Sequence, residues 1–562
     1  ARALLNDMLP ISASAPYTYT AEAGSSSMAT LSAYIKDSCE TLGLTAVQSA
    51  VRQAKEAPVE YDADGNVIDK TKQIDATALV SPTEFVAAMG KYMTEKLGMA
   101  ANLPQDDVRT LVGVYYSMRQ VGFSKTITFT LADDISMDLI AYIKEHHGEY
   151  PGVEVQSEAV RQYDTTAAAH VLGTVGVVDA TEWKDTYKEL AGYQMTSVVG
   201  KTGLEKAFES YLHGSSGSRT VETDLGGNEV AEQSTAAPRP GDNVVTTLDL
   251  DLQEVAERSL AENLAGNGRG GAAVALDPNT GEVLAMANLP DFDPNDAYHL
   301  TSEVYINELK TDVQKILTDA KINAVIPDKW YEEGGLANLP EELQKNDDIV
   351  NKLGSARVNI LMKTWRNPVV SDNYEPGSTF KLMTVATAYE LGEVDADSSF
   401  YCGGSLMVGD WKEPINCANT SGHGMQTLTE ALMNSCNVAM MQIAQKVGMA
   451  RFYEFYKAFG LLDQTGIDLP GESRGQFHNT GETSDWNEVA LATASFGQRF
   501  TVTPMQMITM VSAIVDDGKL KKPYVVKNVL NADGTIKSTT EPEVLRQVIS
   551  ENTSKTVREI ME

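Results

Sequence analysis

The residues with a chemistry to offer stand together at Tyr374-Glu375-Pro376-Gly377-Ser378-Thr379-Phe380-Lys381. Pro376 disfavours the helical region for Glu375, and Gly377 permits a sharp entry into the next segment. From Ser378 the chain reads as a helix that is apolar almost all round, through Phe380, Leu382, Met383, Val385, Ala386 and Ala388. A helix without a polar face belongs in the centre of a domain. Ser378 then sits in its first turn, and Lys381, three residues on, shares its face. Desolvation favours the neutral amine, which makes Lys381 a base able to strip the proton from the Ser378 hydroxyl. The competing interpretation is an N-capping serine followed by a snorkelling lysine. The buried character of the helix favours the nucleophile.

A second polar group lies further along the chain. Residues 428–434 read as a helix that stops at Ser435-Cys436-Asn437, and the apolar pattern resumes over residues 438–447. On a second rigid element facing Ser378, Ser435 would relay a proton between Lys381 and a leaving nitrogen, and Asn437 would hydrogen-bond a substrate amide. An ordinary polar turn between helices is the alternative. Ser371-Asp372-Asn373 and Ser550-Glu551-Asn552 carry the same spacing. The first lies on the approach to Ser378 itself and is poorly placed to form an opposing wall, so residues 434–437 are the better candidate.

These groups need a scaffold, and 562 residues supply more than one domain and a large core. A net charge of −33 argues against nucleic acid and anionic membrane surfaces as partners. No run approaches the roughly 18 apolar residues of a membrane span. The sequence starts at Ala1 without a methionine or a signal peptide, so an incomplete N-terminus is expected. Cys39 stands alone and Cys436 lies inside the second polar group. Cys402 and Cys417 flank a Gly-rich, hairpin-like stretch, either paired in an oxidising compartment or left as two reduced thiols. The histidines show no metal-ligand spacing, so neither a metal nor a cofactor is expected.

In chain order, helical patterns fall at residues 46–54, 82–97 and 105–119. Residues 126–131 alternate like a strand running into the acidic helix start Asp133-Asp134, and residues 152–155 read as another strand. His170 has no triad partners nearby and reads as a packed structural histidine. Lys201-Thr202-Gly203 leads into an amphipathic stripe, Leu204, Ala207, Phe208, Tyr211 and Leu212, so the triplet reads as a turn entering a helix. The Pro/Gly connection at residues 237–242 marks the domain boundary, dividing the chain into 1–240 and 241–562. Beyond it comes a helix with apolar positions Leu252, Val255, Ala256, Leu260 and Leu264. The clearest hairpin joins residues 272–276 to 282–287 through Asp277-Pro278-Asn279-Thr280-Gly281. Residues 299–366 form a charged, mainly helical insertion.

The order Ser378-x-x-Lys381, then Ser435-x-Asn437, resembles the motif set of the penicillin-binding proteins. The surrounding text is more specific than the motifs. GAAVALDPNTGEVLAMANLPDFDPN (271–295), YEPGSTFKL (374–382), NSCNV (434–438) and SFGQRFTVTPMQMIT (495–509) resemble the transpeptidase domain of the class B, high-molecular-weight members. RQYDTTAAAHVLG (161–173) and GKTGLEKAFESYLHG (200–214) resemble that class's N-terminal pedestal. The likeness runs from about residue 126 to the end and leans to the division and sporulation branch of Gram-positive bacteria.

The resemblance implies an α+β chain, with an elongated pedestal or dimerisation domain over 1–240. A penicillin-binding transpeptidase domain occupies 241–562, an antiparallel sheet with helices on both faces. It implies a peptidoglycan D,D-transpeptidase on the extracytoplasmic face of the cell membrane, with no cofactor. Its partners would be stem peptides ending in D-Ala-D-Ala, β-lactams, and other wall-synthesis or division proteins. Ser378 would be the nucleophile, Lys381 the base, Ser435 the proton relay, and Gly377 and Asn437 substrate-binding residues. The family's third motif, a Lys-Thr/Ser-Gly strand, is expected well after Ser-x-Asn, and the only such triplet is the one at 201–203. With the N-terminal anchor helix also lacking, the resemblance implies a fragment at both ends. It further implies a sheet reduced to little more than the 272–287 hairpin, with the Ser378 helix partly uncovered. A serine β-lactamase or β-lactam sensor, and a catalytically dead scaffold of the wall-synthesis complex, are the alternatives.

Overall fold

Ser81 and Pro82 illustrate how local chemistry starts a helix in this chain. The Ser81 hydroxyl accepts from the Glu84 N–H, and Pro82 opens the first turn, where its missing N–H costs nothing. In the computed structural model of the chain, the residues described are 9, 11–12, 17–19, 28–60, 67–120, 122–123, 129–132, 135–150, 152–155, 160–190, 192–195, 197–223, 229–264, 270–344, 346–479 and 485–562. They form two compact units.

The first unit is built from described residues within 1–158 and 299–360. Helices α1 (Met28–Leu42), α2 (Thr45–Glu56), α3 (Pro82–Leu97) and α4 (Gln105–Gln120) match the three expected patterns and add one. Leu31, Ile35, Phe85, Met89, Val112 and Tyr116 make their shared core. Arg109, fully buried, donates to the carbonyls of Leu9 and Ile11, which meets the requirement that a buried cation be paired or hydrogen-bonded. Neither expected strand of this region forms among the described residues. Residues 124–128 and Asp133-Asp134 lie outside them, and residues 129–131 have no regular structure. Residues 152–155 are a turn and irregular chain, although Val153 and Val155 are half-buried and Glu154 exposed, the alternation that suggested a strand. Alternation without a partner strand gives no ladder. The insertion is helical as expected, with helices at Glu303–Asp319 and Asp347–Trp365.

The second unit is built from described residues within 159–224, 229–298 and 361–562. It opens with an antiparallel pair, β1 (Val175–Val177) and β2 (Val198–Gly200). Lys201-Thr202-Gly203 leaves β2 as a turn. Lys201 pairs with Glu182, Thr202 Oγ1 accepts from the Thr174 N–H at 2.9 Å, and Gly203 has φ of 56°. A Cβ there would lie 2.5 Å from the Val171 carbonyl oxygen, so only glycine fits. The next helix is split at Phe208 into Gly203–Ala207 and Glu209–Leu212. His170 is buried, its Nε2 2.9 Å from the Thr364 carbonyl oxygen, and burial lowers it to about 4, a neutral packed histidine.

Further on come the antiparallel pair β3 (Ser218–Thr223) and β4 (Glu229–Ala236), then β5 (Asn243–Thr246) and helix α5 (Leu250–Leu264). The hairpin β6 (Gly271–Leu276) and β7 (Val283–Leu289) forms with Ala273 opposite Ala287. The apolar stripe read for α5 faces inward only in part: Leu252 and Val255 are exposed, while Ala256, Leu260 and Leu264 are half-buried. The buried residue is Gln253. Its side-chain amide accepts from the Met286 N–H at 2.7 Å and donates to the Met286 carbonyl at 3.1 Å. Gln253 thus satisfies the free edge of β7 as a neighbouring strand would, and a polar residue wins the buried position.

Around these lies the helical body of the unit: α6 (Lys381–Glu390), then the pairs of β8 (Ser399–Cys402) with β11 (Gly424–Thr427) and β9 (Ser405–Leu406) with β10 (Ile415–Asn416). After them come α7 (Leu428–Met433), α8 (Asn437–Val447), α9 (Glu488–Ala494), α10 (Pro504–Val515) and α11 (Glu551–Met561). Strand β12 (Lys519–Lys521) pairs antiparallel with a strand at Val544–Gln547. Strand β13 (Val526–Leu530) pairs antiparallel with β5 and with β14 (Ile536–Thr539). The expected uncovering of the Ser378 helix is not seen. α6 touches α8, α10 and α11, and its residues 383–388 are all buried. Glu390 at its end takes the N–H and hydroxyl of Ser550, the N-cap of α11, so the last helix is pinned to it.

Candidate active site

A 3₁₀ turn at Gly377–Phe380 leads directly into α6. In a 3₁₀ turn residues i and i+3 eclipse, so Ser378 and Lys381 share a face as the spacing required, one turn before the α-helix begins. Gly377 takes φ of 58° and donates its N–H to the Gly497 carbonyl at 2.9 Å, which fixes the entry. Phe380 anchors the turn from below, its ring 4.7 Å from that of Phe500 and 6.0 Å from that of Tyr456. Ser378 is left exposed while Lys381 is 2% exposed.

The opposing element is the α7–α8 junction. Thr427 and Glu430 form a capping box that starts α7, and Cys436 caps α8, its sulfur accepting from the Ala439 N–H. Between the two helices Ser435 takes φ of 49°, a left-handed conformation uncommon for a residue with a side chain. That geometry turns both its carbonyl and its hydroxyl toward α6. Lys381 Nζ lies 2.6 Å from the Ser435 carbonyl oxygen and 2.8 Å from Ser435 Oγ. Ser435 Oγ lies 3.0 Å from Ser378 Oγ. Three of the five expected site residues therefore form one line, Lys381–Ser435–Ser378. Gly377 adjoins it through the backbone, and Asn437 stands half-buried in the first turn of α8.

The rival triplets are occupied elsewhere. The Ser371 hydroxyl donates to the Asn367 carbonyl at 2.8 Å inside its own turn, and Ser550 caps α11. A cavity of about 960 Å³ opens beside Glu375, lined by Trp411, Phe477, His478 and Arg499 among others, and Ser378, Lys381 and Ser435 do not line it.

Burial pulls the Lys381 ammonium down to about 8, against the thiols of Cys417 and Cys436, which pull it up. While Lys381 is protonated it donates to Ser435 Oγ, and Ser435 donates to Ser378. Once neutral, it can accept from Ser435, which then accepts from Ser378. The same three atoms hold a proton in one state and withdraw one in the other.

Sequence reasoning missed a neighbouring group. All four cysteines are free thiols, so Cys402 and Cys417 are not paired. Instead, one potential ligand atom from each of Cys402, Cys417, His423 and Cys436 lies within 4.8 Å of the others. The expectation of no metal site rested on histidine spacing, and this set contains a single histidine. The legible signal was three cysteines flanking one histidine across residues 402–436.

With this geometry in hand, the chain matches the family described as Penicillin binding protein transpeptidase domain over residues 271–562, more than half its length. It also matches the Penicillin-binding Protein dimerisation domain over residues 60–246. The chain belongs to the penicillin-binding proteins, with the dimerisation-plus-transpeptidase organisation of class B. Stage V sporulation protein D of Bacillus subtilis is 30% identical over 73% of this chain and 52% of its own length. Peptidoglycan D,D-transpeptidase MrdA of Acinetobacter baumannii is 27% identical over 83% of this chain and 61% of its own. The chain thus spans between 52% and 61% of these relatives. A crystal structure of Penicillin Binding Protein 2X from Streptococcus thermophilus shares the fold, with a TM-score of 0.55 at 21% identity, over 86% of this chain and 61% of that one. Among the described residues no helix is long and apolar enough to cross a membrane.

Proposed function

We propose that this chain carries the acyl-transfer centre of a peptidoglycan D,D-transpeptidase with Ser378 as its nucleophile. The observation that carries the reading is the line of hydrogen bonds from buried Lys381 through Ser435 to exposed Ser378. The name of the MrdA relative and the family match support the substrate class.

In this reading Ser378 Oγ attacks the carbonyl carbon of the penultimate D-Ala of a stem peptide. Its proton passes to Ser435 Oγ, whose own proton goes to Lys381 Nζ. As the tetrahedral adduct collapses, Lys381 returns a proton through Ser435 to the nitrogen of the terminal D-Ala, which leaves. An amine of a second stem peptide then displaces Ser378 from the ester and completes the cross-link. The Ser378 N–H, in the first turn of the 3₁₀ segment, is aimed at the developing oxyanion. Asn437 holds the amide of the donor peptide, and Gly377 lets the chain pass close to it. A β-lactam enters as a mimic of D-Ala-D-Ala and leaves Ser378 acylated.

The boundary between dimerisation and transpeptidase domains is assigned to residues 240/241. The protein acts on the extracytoplasmic side of the membrane, held by an N-terminal anchor, in the division and sporulation branch, with other wall-synthesis proteins as partners. Labelling with a fluorescent penicillin tests the centre. Ser378→Ala abolishes the labelled band and Ser371→Ala leaves it near wild type. Labelling that survives Ser378→Ala overturns the reading.

A further inference from the structure

We propose that the cavity beside Glu375 is a second substrate site, for a peptide that presents a free ammonium group and a free carboxylate. Asp410, Glu488 and the indole of Trp411 take the ammonium, and Arg499 takes the carboxylate. The proposal rests on the acyl-transfer reading, whose second step needs an amine, and it places the amine-bearing peptide apart from the line Lys381–Ser435–Ser378. With a volume of about 960 Å³ the cavity holds a short peptide.

Charge is the first argument. The carboxylates of Glu375, Asp410, Asp485 and Glu488 line the cavity together with the guanidinium of Arg499. Two of the four have partners. Glu375 Oε1 accepts from the Arg499 N–H at 2.9 Å, and Asp485 Oδ2 lies 3.1 Å from His478 Nδ1. Among the described residues Asp410 and Glu488 have no cationic partner and the Arg499 guanidinium has no anionic one. Gly409, at φ of 51°, lets the Glu488 side chain lie against the backbone just ahead of Asp410, since a Cβ there would stand 2.6 Å from Glu488 Oε2. An ammonium beside these carboxylates relieves their repulsion, and the indole of Trp411, 52% exposed, offers it an aromatic face. A planar guanidinium free of partners suits a carboxylate.

Unmet hydrogen bonds are the second. The His478 side chain is 9% exposed, and its Nε2 and Thr501 Oγ1, both on lining residues, are closed off without a hydrogen-bond partner. With Nδ1–H donated to Asp485, the neutral ring keeps a lone pair on Nε2. Orphaned polar atoms in a wall call for an explanation, and N–H donors brought by a peptide supply one. Position is the third. The wall carrying Arg499 also holds the catalytic turn: Gly377 donates to the Gly497 carbonyl, Tyr374 bridges to Val502, and Gln476 bridges to Thr501. Arg499 itself takes φ of 68°, a strained value of the kind that collects at functional sites. In the second step the ammonium sheds one proton to solvent and the free amine attacks the ester carbonyl carbon. The bond from that carbon to Ser378 Oγ breaks, and a further amine proton returns to Oγ.

The test titrates three probes into the chain, followed by ligand-observed NMR. Nα-acetyl-lysine carries both charges, Nα-acetyl-lysinamide only the ammonium, and Nα,Nε-diacetyl-lysine only the carboxylate. The first is expected to bind the wild-type chain about tenfold tighter than either of the others, the scale of one charge-assisted contact. This comparison needs no variant to fold. Asp410→Asn combined with Glu488→Gln should weaken the two ammonium probes and spare the diacetyl one. Arg499→Gln should weaken the two carboxylate probes and spare the amide, and Glu413→Gln, outside the cavity, should change none. In acyl transfer from a thioester donor to Nα-acetyl-lysine, scaled to each variant's own acylation by penicillin, the cost in the double variant should fall on the acceptor KM. Three probes that bind the wild-type chain alike overturn the second site, as does an acceptor KM unmoved in the double variant. A chain that penicillin does not acylate overturns the acyl-transfer reading instead, and with it the role of the bound amine.

Discussion

In the proposed acyl-transfer reading, Lys381 would set the pH response of the centre. Burial holds its ammonium at about 8, with Cys417 and Cys436 as the opposing neighbours. Only the neutral amine can accept the Ser378 proton. Below that value the amine is protonated and the line of hydrogen bonds runs toward Ser378, leaving no acceptor. Acylation of the chain by a fluorescent penicillin should therefore rise with pH through about 8 and level off above it. Stopped-flow rates across that range check this, and a profile flat from neutrality upward would contradict it. Ser435→Ala removes the relay and should slow acylation by about 10² to 10⁴, the scale of general acid–base catalysis. A few-fold loss would mean that Lys381 reaches Ser378 without it.

At the scale of elements, what could be read in the sequence was what local chemistry determines. The Ser378 helix, the 271–289 hairpin and the break at residues 434–437 each depend on a short run with its own caps and turns, and each forms. Two features could not be read because they depend on distant partners. The left-handed Ser435 meets Lys381, which lies 54 positions earlier in the chain. The fully buried position of α5 belongs to Gln253, through its bonds to β7, and not to a residue of the apolar stripe. Gln253→Leu should leave a buried N–H and carbonyl unpaired, costing about 1–3 kcal/mol. Thermal unfolding would register this as a lower Tm, with Ser378 labelling retained, and an unchanged Tm would deny Gln253 that role. The triplet at 201–203 is bonded to Glu182 and Thr174, so Lys201→Ala should alter acylation less than a few-fold. A loss of about a hundredfold, the size of a lost transition-state contact, would place it in the site.

For the whole molecule, the family match assigns the chain to the penicillin-binding proteins. Within the second unit, a core helix carries a buried base and an exposed serine, and a neighbouring junction supplies the group that joins them. The central claim is that this serine, and no other residue, becomes the acyl-enzyme. Peptide mass mapping after brief exposure of the chain to penicillin tests it most directly. The account predicts a single penicilloyl adduct on the proteolytic peptide containing Ser378, lost on hydroxylamine treatment as an ester should be. An adduct on Ser371 or Ser435, or a chain that reaches full occupancy with Ser378 unmodified, would contradict it.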